Sequence, residues 1–229
     1  MARADGKGNL VFALIGPKWY EILPRTLERL GFQIPVTCYE IKVPLEGVDK
    51  EKYENERNWR KLRRIAAGNK RKKSILSHLL AAFWTKKVII VSYYRNLAEE
   101  AGNEHQIPVI AKAVVCQYLQ QLLDDFNQGK ITRLIGTSAI EKLPVENCEI
   151  MIALSYQQGS KREEYLRLGK IIKNNRRVNR GFLYSLVSAK SIEEEDYSKR
   201  RRWLINYGYR YRILSVEELL EGDITDEAD

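Results

Sequence analysis

The feature that most constrains the fold is a series of short apolar runs that alternate with helix-like stretches. Residues 87–92 (KVIIVS), 133–136, 150–154 and 182–188 have the length and composition of buried strands. Strands that alternate with helices predict an α/β fold, in which a mostly parallel sheet carries helices on both faces. In such sheets, ligands bind at the carboxyl ends of the strands.

The remaining elements follow from local signals. Proline at the first position of a helix and a capping box (Ser215 with Glu218) each predict a short helix. Further strands are predicted at 10–15, 34–43 and 108–110. Helices are predicted at 24–30, 114–127 and 160–173, and a short helix is predicted to end at 97–102. Two more helices are predicted within 49–83, separated at Gly68-Asn69, one within 193–213, and a last one from 215 to Gly222.

The charge of the chain is large and unevenly distributed. The net charge is +9, but residues 216–229 hold seven acidic and no basic residues. Residues 1–215 therefore carry 39 basic side chains against 23 acidic ones. Such a body favours a polyanionic partner, above all nucleic acid, or an acidic protein surface. The acidic end either lies across a basic face or is a solvated terminus.

Several classes of site have no support in the sequence. Cys38, Cys116 and Cys148 are far apart, and neither they nor His78 and His105 have metal-ligand spacing. We expect buried thiols, no metal, no cofactor and no catalytic residue. No apolar run is long enough to span a bilayer, which predicts a protein that acts inside the cell and away from the membrane.

The densest basic run lies between Arg57 and Lys73 and contains nine basic residues. One interpretation is a solvated helix face. The other is contact with nucleic-acid phosphates, because like charges this close repel each other and favour an anionic partner. The predicted contact residues here are Arg63, Arg64, Lys70, Arg71, Lys72 and Lys73.

A second basic stretch is interleaved with aromatic residues. Cations among aromatic rings suit splayed bases, which need both charge and stacking. Alternatively, the aromatic residues pack this segment onto the sheet and the arginines lie at the edge. The predicted nucleic-acid contacts are Lys199, Arg200, Arg201 and Arg202, and the aromatic residues are Trp203, Tyr207, Tyr209 and Tyr211.

Several segments together resemble the C-terminal helicase domain of the xeroderma pigmentosum group B (XPB) family of superfamily 2 DNA translocases. Residues 11–21 (VFALIGPKWYE) look like the segment after family motif III, and KVIIVS is similar to the motif IV strand. Residues 181–214, with their Tyr-Ser-Lys-Arg stretch and closing Gly-Tyr, resemble the signature end of the family most specifically. The resemblance covers roughly residues 3–214 and implies a RecA-like three-layer fold.

The departures from the family bear on activity. The Walker loop and Asp-Glu box of the family's first motor domain do not occur in residues 1–229, and 136–144 lacks the Gly-Asp pair of motif V. At the position of motif VI, Arg167 and Gly169 match, whereas Lys170 and Lys173 stand where the family has arginines. Lysine does not reproduce the planar fork of an arginine finger. The resemblance thus implies a nucleotide-facing remnant, with Arg162 as a further nucleic-acid contact.

Three functions remain open at this stage. The first is a non-catalytic module that binds DNA without sequence preference and docks a partner, in DNA repair or transcription. The second is one half of a split motor that meets a Walker-containing subunit, so that it contributes to ATP hydrolysis only in trans. The third is a structural or regulatory protein that binds XPB-family partners such as a nuclease or a repair factor.

The expected organisation is a flexible segment 1–9, one RecA-like domain at 10–215 with a basic helical segment at 49–83, and an acidic tail at 216–229. The expected location is the cytoplasm in association with the nucleoid, or the nucleus if the source is eukaryotic. No membrane partner is expected.

Overall fold

A computed structural model describes residues 8–17, 19–111, 117–156, 161–171 and 179–222. Seven strands occur among them. They are β1 (Val36–Val43), β2 (Val88–Val91), β3 (Val109–Ile110), β4 (Arg133–Gly136), β5 (Ile150–Ala153), β6 (Gly181–Ser188) and β7 (Arg210–Ser215). The helices are α1 (Gly8–Ile15), α2 (Pro24–Arg29), α3 (Gly47–Asn55), α4 (Trp59–Ala67), α5 (Arg71–Ala82), α6 (Arg95–His105), α7 (Gln117–Gln128), α8 (Lys161–Ile171), α9 (Ile192–Asn206) and α10 (Val216–Glu221), with a 3-10 turn at Ile140–Lys142.

The described strands form one sheet in the order β3-β4-β2-β5-β6-β1-β7, and each neighbouring pair is parallel. Alternate side chains of each strand point to opposite faces. In β2, Ile89 contributes to the core on one face and Ile90 to the core on the other. The predicted α/β, RecA-like fold with a mostly parallel sheet is therefore confirmed.

Helices cover both faces, which makes three layers. Residues of α7, α8 and α9 pack in the core that contains Ile89, whereas residues of α5, α6 and α10 pack in the core that contains Ile90. The capping box at Ser215 and Glu218 forms as predicted and starts α10, whose Val216 and Leu219 are buried. The predicted acidic tail thus begins with a packed helix, and residues 223–229 lie outside the described residues.

The predicted strand at 10–15 is wrong, because these residues belong to α1. A short apolar run does not by itself distinguish a strand from a helix. Within the described part of the chain, both sides of every strand except the edges β3 and β7 are occupied, and neither edge pairs with this run. The run therefore satisfies its backbone hydrogen bonds internally.

Two boundaries also differ from prediction. The segment 49–83 contains three helices, because Glu56 accepts from the backbone N–H groups of Arg57 and Asn58 and the Asn58 side chain caps α4. The predicted helix within 193–213 ends at Asn206, since Gly208 takes a positive φ of 86° and turns the chain into β7. The strand β7 was not predicted, because it lies at the edge of the sheet and its residues do not alternate between buried and exposed as those of a half-buried strand do.

Candidate nucleic-acid interface

A groove lined by arginine and aromatic side chains lies at the carboxyl edge of the sheet. It encloses about 490 Å³. We call it the basic–aromatic groove, and it is lined by Trp59, Arg60, Lys61, Arg63 and Arg64 of α4, by Tyr93 and Tyr94 after β2, and by Tyr156 after β5.

The junction between α4 and α5 is fixed to the sheet by polar contacts. The Asn69 amide donates to the Pro44 carbonyl at 3.1 Å and to Ser188 Oγ at 3.2 Å. Ser188 Oγ in turn donates to the Ala66 carbonyl at 2.7 Å. Because these groups are buried or nearly so, losing one would leave its partners unsatisfied. The contacts hold α4 over the carboxyl ends of β1 and β6.

Trp59 begins α4 and stands at the rim of the groove, 48% exposed. The guanidinium carbons of Arg60 and Arg63 lie 5.1 and 4.8 Å from its ring centroid, within cation–π range. Arg63 also donates to Asp196 of α9 at 2.7 Å. Arg60 and Arg64 are exposed, and no carboxylate in the described part of the chain pairs with them.

The opposite wall is formed by two tyrosines. The backbone N–H of Tyr93 donates to Ser155 Oγ at 2.9 Å, and Ser155 Oγ is also 2.9 Å from Ser92 Oγ. The Tyr93 and Tyr94 rings meet edge to face at 5.1 Å. Partial burial raises the pKa of Tyr94, which keeps its hydroxyl protonated at neutral pH. The ends of β2 and β5 thus hold the tyrosines in place before any ligand arrives.

The rest of the predicted basic run has other partners. Lys72 is 3% exposed, and its ammonium contacts Glu193 at 2.6 Å and the Leu154 carbonyl at 2.9 Å. Burial lowers the pKa of Lys72, and Glu193 opposes that change. The prediction that Lys72 contacts nucleic acid is corrected: its amphipathic helix turns it toward the sheet, where a phosphate does not reach it.

The neighbours of Lys72 lie at the surface, and two of them are paired. Arg71 contacts Glu46 and, at 3.0 Å, Glu217 of α10, and Lys73 contacts Glu100. Lys70 is exposed. None of these three lines the basic–aromatic groove.

Arg167, the residue that matches motif VI, belongs to a buried ion-pair cluster. We define this cluster as Glu141, Glu163, Glu164, Arg167 and Arg200. Arg167 is 2% exposed and donates to Glu141 at 2.8 Å and to Glu164 at 3.2 Å. Burial alone would lower the pKa of Arg167, but Glu164 and Glu141 outweigh it and raise the pKa. Burial raises the pKa of Glu141, although Arg167 opposes the change.

Gly169 and Lys170, two further residues predicted to belong to the nucleotide-facing remnant, have different surroundings. Gly169 has open space where a Cβ would lie, so no close approach demands glycine there. The Lys170 ammonium donates to the Leu143 carbonyl. Arg162 lies in the first turn of α8, but its side chain and the whole of Lys173 fall outside the described residues.

The consecutive basic residues of α9 have different surroundings. Arg200 is 1% exposed; it contacts Glu164, donates to Glu163 at 3.0 Å, and lies 4.4 Å from the Tyr156 ring centroid. Arg201 donates to Glu40 at 2.7 and 2.5 Å. Lys199 and Arg202 are exposed. Arg200 is therefore a structural residue and not a nucleic-acid contact, because its guanidinium is sealed inside the domain.

The aromatic residues of the same segment pack inward, as the alternative interpretation held. Trp203 and Tyr209 are buried in the core, with Tyr207 and Tyr211 packed against it. Stacking of bases on this segment is therefore excluded for Trp203 and Tyr209. Trp59, Tyr93 and Tyr94 instead present aromatic surface in the same groove as the exposed Arg60 and Arg64.

Arg63 and Arg64, two predicted nucleic-acid contacts, line the groove, whereas its aromatic residues were not among the predicted contacts. Two signals were present. Trp59 precedes Arg63 by four residues, which places them on one helix face. Tyr93 and Tyr94 directly follow a buried parallel strand, where ligand-binding residues of such sheets lie. That these two stretches, 34 residues apart in sequence, line one groove depends on tertiary packing.

Other classes of site find no support in the described residues. No group of three or more His, Cys, Asp or Glu side chains is arranged to hold a metal ion there. Cys38 and Cys148 are buried, and burial raises the pKa of Cys148 to about 12. Cys116 lies outside the described residues. The helices of the described ranges are too short or too polar to cross a membrane.

Solved structures share the RecA-like fold of this chain. The chain matches S. cerevisiae Dbp5 bound to RNA and ADP BeF3 with a TM-score of 0.65, over 99% of this chain and 52% of that chain, at 12% identity. The C-terminal domain of the DEAD-box protein Dbp5 gives a TM-score of 0.59, over 85% of this chain and 97% of that chain, at 14% identity. At such identities, the likeness establishes the fold alone.

Sequence comparison identifies the family. The ERCC3/RAD25/XPB C-terminal helicase model matches residues 27–226, so the chain belongs to that family. The chain is 26% identical to the DNA 3'-5' helicase XPB of Kineococcus radiotolerans, over 99% of this chain and 40% of that protein. It is 31% identical to XPB/SSL2 of Saccharomyces cerevisiae, a general transcription and DNA repair factor IIH helicase/translocase subunit, over 94% of this chain and 26% of that protein. The chain thus spans well under half the length of these relatives, and the predicted resemblance is confirmed.

Proposed function

We propose that this domain binds nucleic acid through the basic–aromatic groove and docks a protein partner, without hydrolysing ATP by itself. The observation that carries the proposal is the pair of exposed, carboxylate-free arginines, Arg60 and Arg64, at the carboxyl edge of the sheet. Phosphate contacts of this kind give affinity without sequence preference. The names of the relatives, a DNA helicase and a transcription and repair factor, support DNA as the ligand and a place beside DNA in the cell.

A charge-reversal experiment tests the groove. Arg60→Glu with Arg64→Glu should weaken binding of a labelled DNA roughly tenfold or more and reduce the slope of log affinity against log salt by about 2. The matched control is Arg29→Glu with Arg210→Glu, which reverses two exposed arginines at the amino edge of the sheet. An equal loss in both double variants, or no binding by the wild type beyond a neutral protein, would refute the proposal.

The absence of ATPase activity in this domain alone is part of the proposal. Arg167 is committed to Glu141 and Glu164, and an arginine finger must instead present its guanidinium to a γ-phosphate. The Walker loop and Asp-Glu box do not occur in residues 1–229. Hydrolysis of ATP by nuclease-free protein, with or without DNA, would overturn this part.

Partner docking is supported by an exposed apolar surface in the stretch from the end of α1 to the segment before β1. We call it the N-terminal apolar surface, and its most exposed members include Leu14, Ile15, Trp19, Tyr20 and Phe32, with Trp19 at 91%. Large exposed apolar side chains that occur together in one stretch of the chain favour an interaction site. A groove at the amino edge of the sheet contains Arg25, Arg29 and Arg210, which favours a partner that also carries acidic groups.

This surface also supports the second candidate function, a split motor. A Walker-containing first motor domain would then cover the N-terminal apolar surface. Leu14→Glu with Trp19→Glu should abolish co-elution with such a domain taken from a relative, while Arg60→Glu with Arg64→Glu should not. DNA-stimulated ATPase in the mixture would favour the split motor, and docking without ATPase would favour the non-catalytic module. Docking without any DNA binding would leave the third candidate, a structural or regulatory protein that binds XPB-family partners.

A further inference from the structure

We infer that the basic–aromatic groove receives an unpaired base, so that the domain selects single-stranded nucleic acid, or the single-stranded side of a junction, over duplex. This inference rests on the proposed function and adds the form of nucleic acid that the site selects. It follows from the aromatic half of the groove, which phosphate binding alone does not require.

The first observation is the exposure of Trp59. It belongs to none of the described core clusters, and it stays 48% exposed even with two guanidinium groups beside its ring. A half-exposed indole ring at the rim of a ligand-sized groove adds little to the packing of the core. An aromatic ring in this position offers a surface on which an unstacked base stacks.

The second observation is the opposite wall. Tyr93 is 38% exposed, and its backbone is tied to Ser155 at the end of β5. Its ring is further held edge to face by Tyr94. The groove therefore has aromatic surface on both α4 and the β2 end, and its volume of about 490 Å³ lies in the range of small-molecule sites.

The third observation is the placement of charge. Arg60 and Arg64 are exposed on α4 beside Trp59, while Asp196 fixes Arg63 and partly neutralises it. Phosphates flanking a base would meet the two exposed arginines as the base meets the rings. A planar guanidinium also stacks on a base, so the arginines support the same geometry.

A duplex and a single strand would interact differently with the aromatic rings and arginines of the groove. In a duplex the base faces are stacked on their neighbours, and a protein meets only base edges and phosphates. A single strand offers both phosphates and free base faces, and stacking contributes about 1–3 kcal/mol per base. One stacked base therefore predicts a preference for single strand of roughly 5- to 150-fold.

The test compares three labelled ligands of equal length, namely a single strand, the blunt duplex, and a single strand with abasic sites, by fluorescence anisotropy at several salt concentrations. We expect the wild type to bind the ordinary single strand at least roughly fivefold tighter than either of the others. Trp59→Ala should remove this preference without changing the salt slope, Tyr93→Ala should reduce it, and Trp59→Phe should retain most of it.

The matched control is Trp84→Ala. Trp84 is 73% exposed and precedes β2, so it lies at the amino edge of the sheet, away from the groove. This variant should keep the preference. Equal affinity for duplex, abasic and ordinary single strands, or an unchanged preference in both Trp59→Ala and Tyr93→Ala, would overturn the inference and leave the proposed function standing. Failure to bind any of the three would overturn the proposed function, and the inference with it.

Discussion

Two arginine-rich regions of this domain both contain Tyr156, but they differ in the carboxylate partners and the solvent exposure of their guanidinium groups. Tyr156 lines the basic–aromatic groove, and its ring also lies under Arg167 and Arg200 of the buried ion-pair cluster. In the cluster, carboxylates meet both arginines in the absence of bulk water. In the groove, Arg60 and Arg64 face solvent without a described carboxylate. Positive charge is structural in one region and available to a ligand in the other.

This difference shows that a run of basic residues in the sequence does not indicate which of their side chains are buried, paired or exposed. Arg200, Arg201 and Arg202 are consecutive, yet the first is buried, the second pairs with Glu40 at the edge of the core, and the third is exposed. Helical geometry rotates successive residues to different faces. A buried arginine demands carboxylate partners, and a solvated one does not.

The largest effect is expected from the buried cluster. Arg200→Ala should lower the free energy of unfolding by about 3 kcal/mol, because it removes one of the two guanidinium groups that neutralise the buried Glu164. Urea denaturation measures this value. Arg202→Ala, two residues along the same helix, should change it by less than about 0.5 kcal/mol. Similar values for both variants would contradict the distinction between buried and exposed arginines.

An intermediate effect is expected at Glu40, the partner of Arg201. Burial raises the pKa of Glu40, but hydrogen bonds from Arg201, Lys42 and Tyr211 outweigh it and lower the pKa below its ordinary value of 4.5. A lowered pKa contributes stability that is present above pH 4.5 and is lost as the pH falls through the folded-state pKa. Glu40→Gln should therefore cost about 2 kcal/mol at neutral pH and progressively less in acid.

Urea denaturation between neutral and acidic pH measures the Glu40 effect. Glu54→Gln is the control, because Glu54 is exposed and lies 3.8 Å from Lys50. Its effect should be small at every pH. If the cost of Glu40→Gln did not shrink in acid, the ionised state of Glu40 would not be what stabilises this part of the fold.

The smallest effect is expected from lysine in the groove. Arg64→Lys should change DNA affinity by no more than about twofold. A phosphate contact at an exposed site depends on the positive charge more than on the bidentate geometry of a guanidinium group. Arg200→Lys, by contrast, should lose about 1–3 kcal/mol of stability, since lysine does not bridge Glu163 and Glu164 while lying on the Tyr156 ring. Anisotropy titration and denaturation give the two values. A tenfold loss in Arg64→Lys would mean that the groove uses bidentate geometry as well.

The sequence by itself determined the positions of the buried strands along the chain, the parallel sheet and the capping box at Ser215. These follow from apolar periodicity and local hydrogen bonding, which act within a few residues. The family followed separately, from the resemblance of motifs such as those in residues 181–214. The sequence did not determine whether residues 10–15 form a helix or a strand, because a short apolar stretch suits either one. The choice depends on whether a strand lies beside it in the fold.

The tertiary structure alone decided which charges are free. Lys72 and Lys70 are two residues apart in one basic run, yet Lys72 meets Glu193 from a segment 121 residues away and becomes part of the core. Trp59 and Tyr93 are far apart in sequence and line one groove because tertiary contacts, among them the hydrogen bond from Asn69 to Ser188, hold α4 over the strand ends. Pairing of a charge depends on partners distant in sequence, so the same residue types are sealed at one site and exposed at the other.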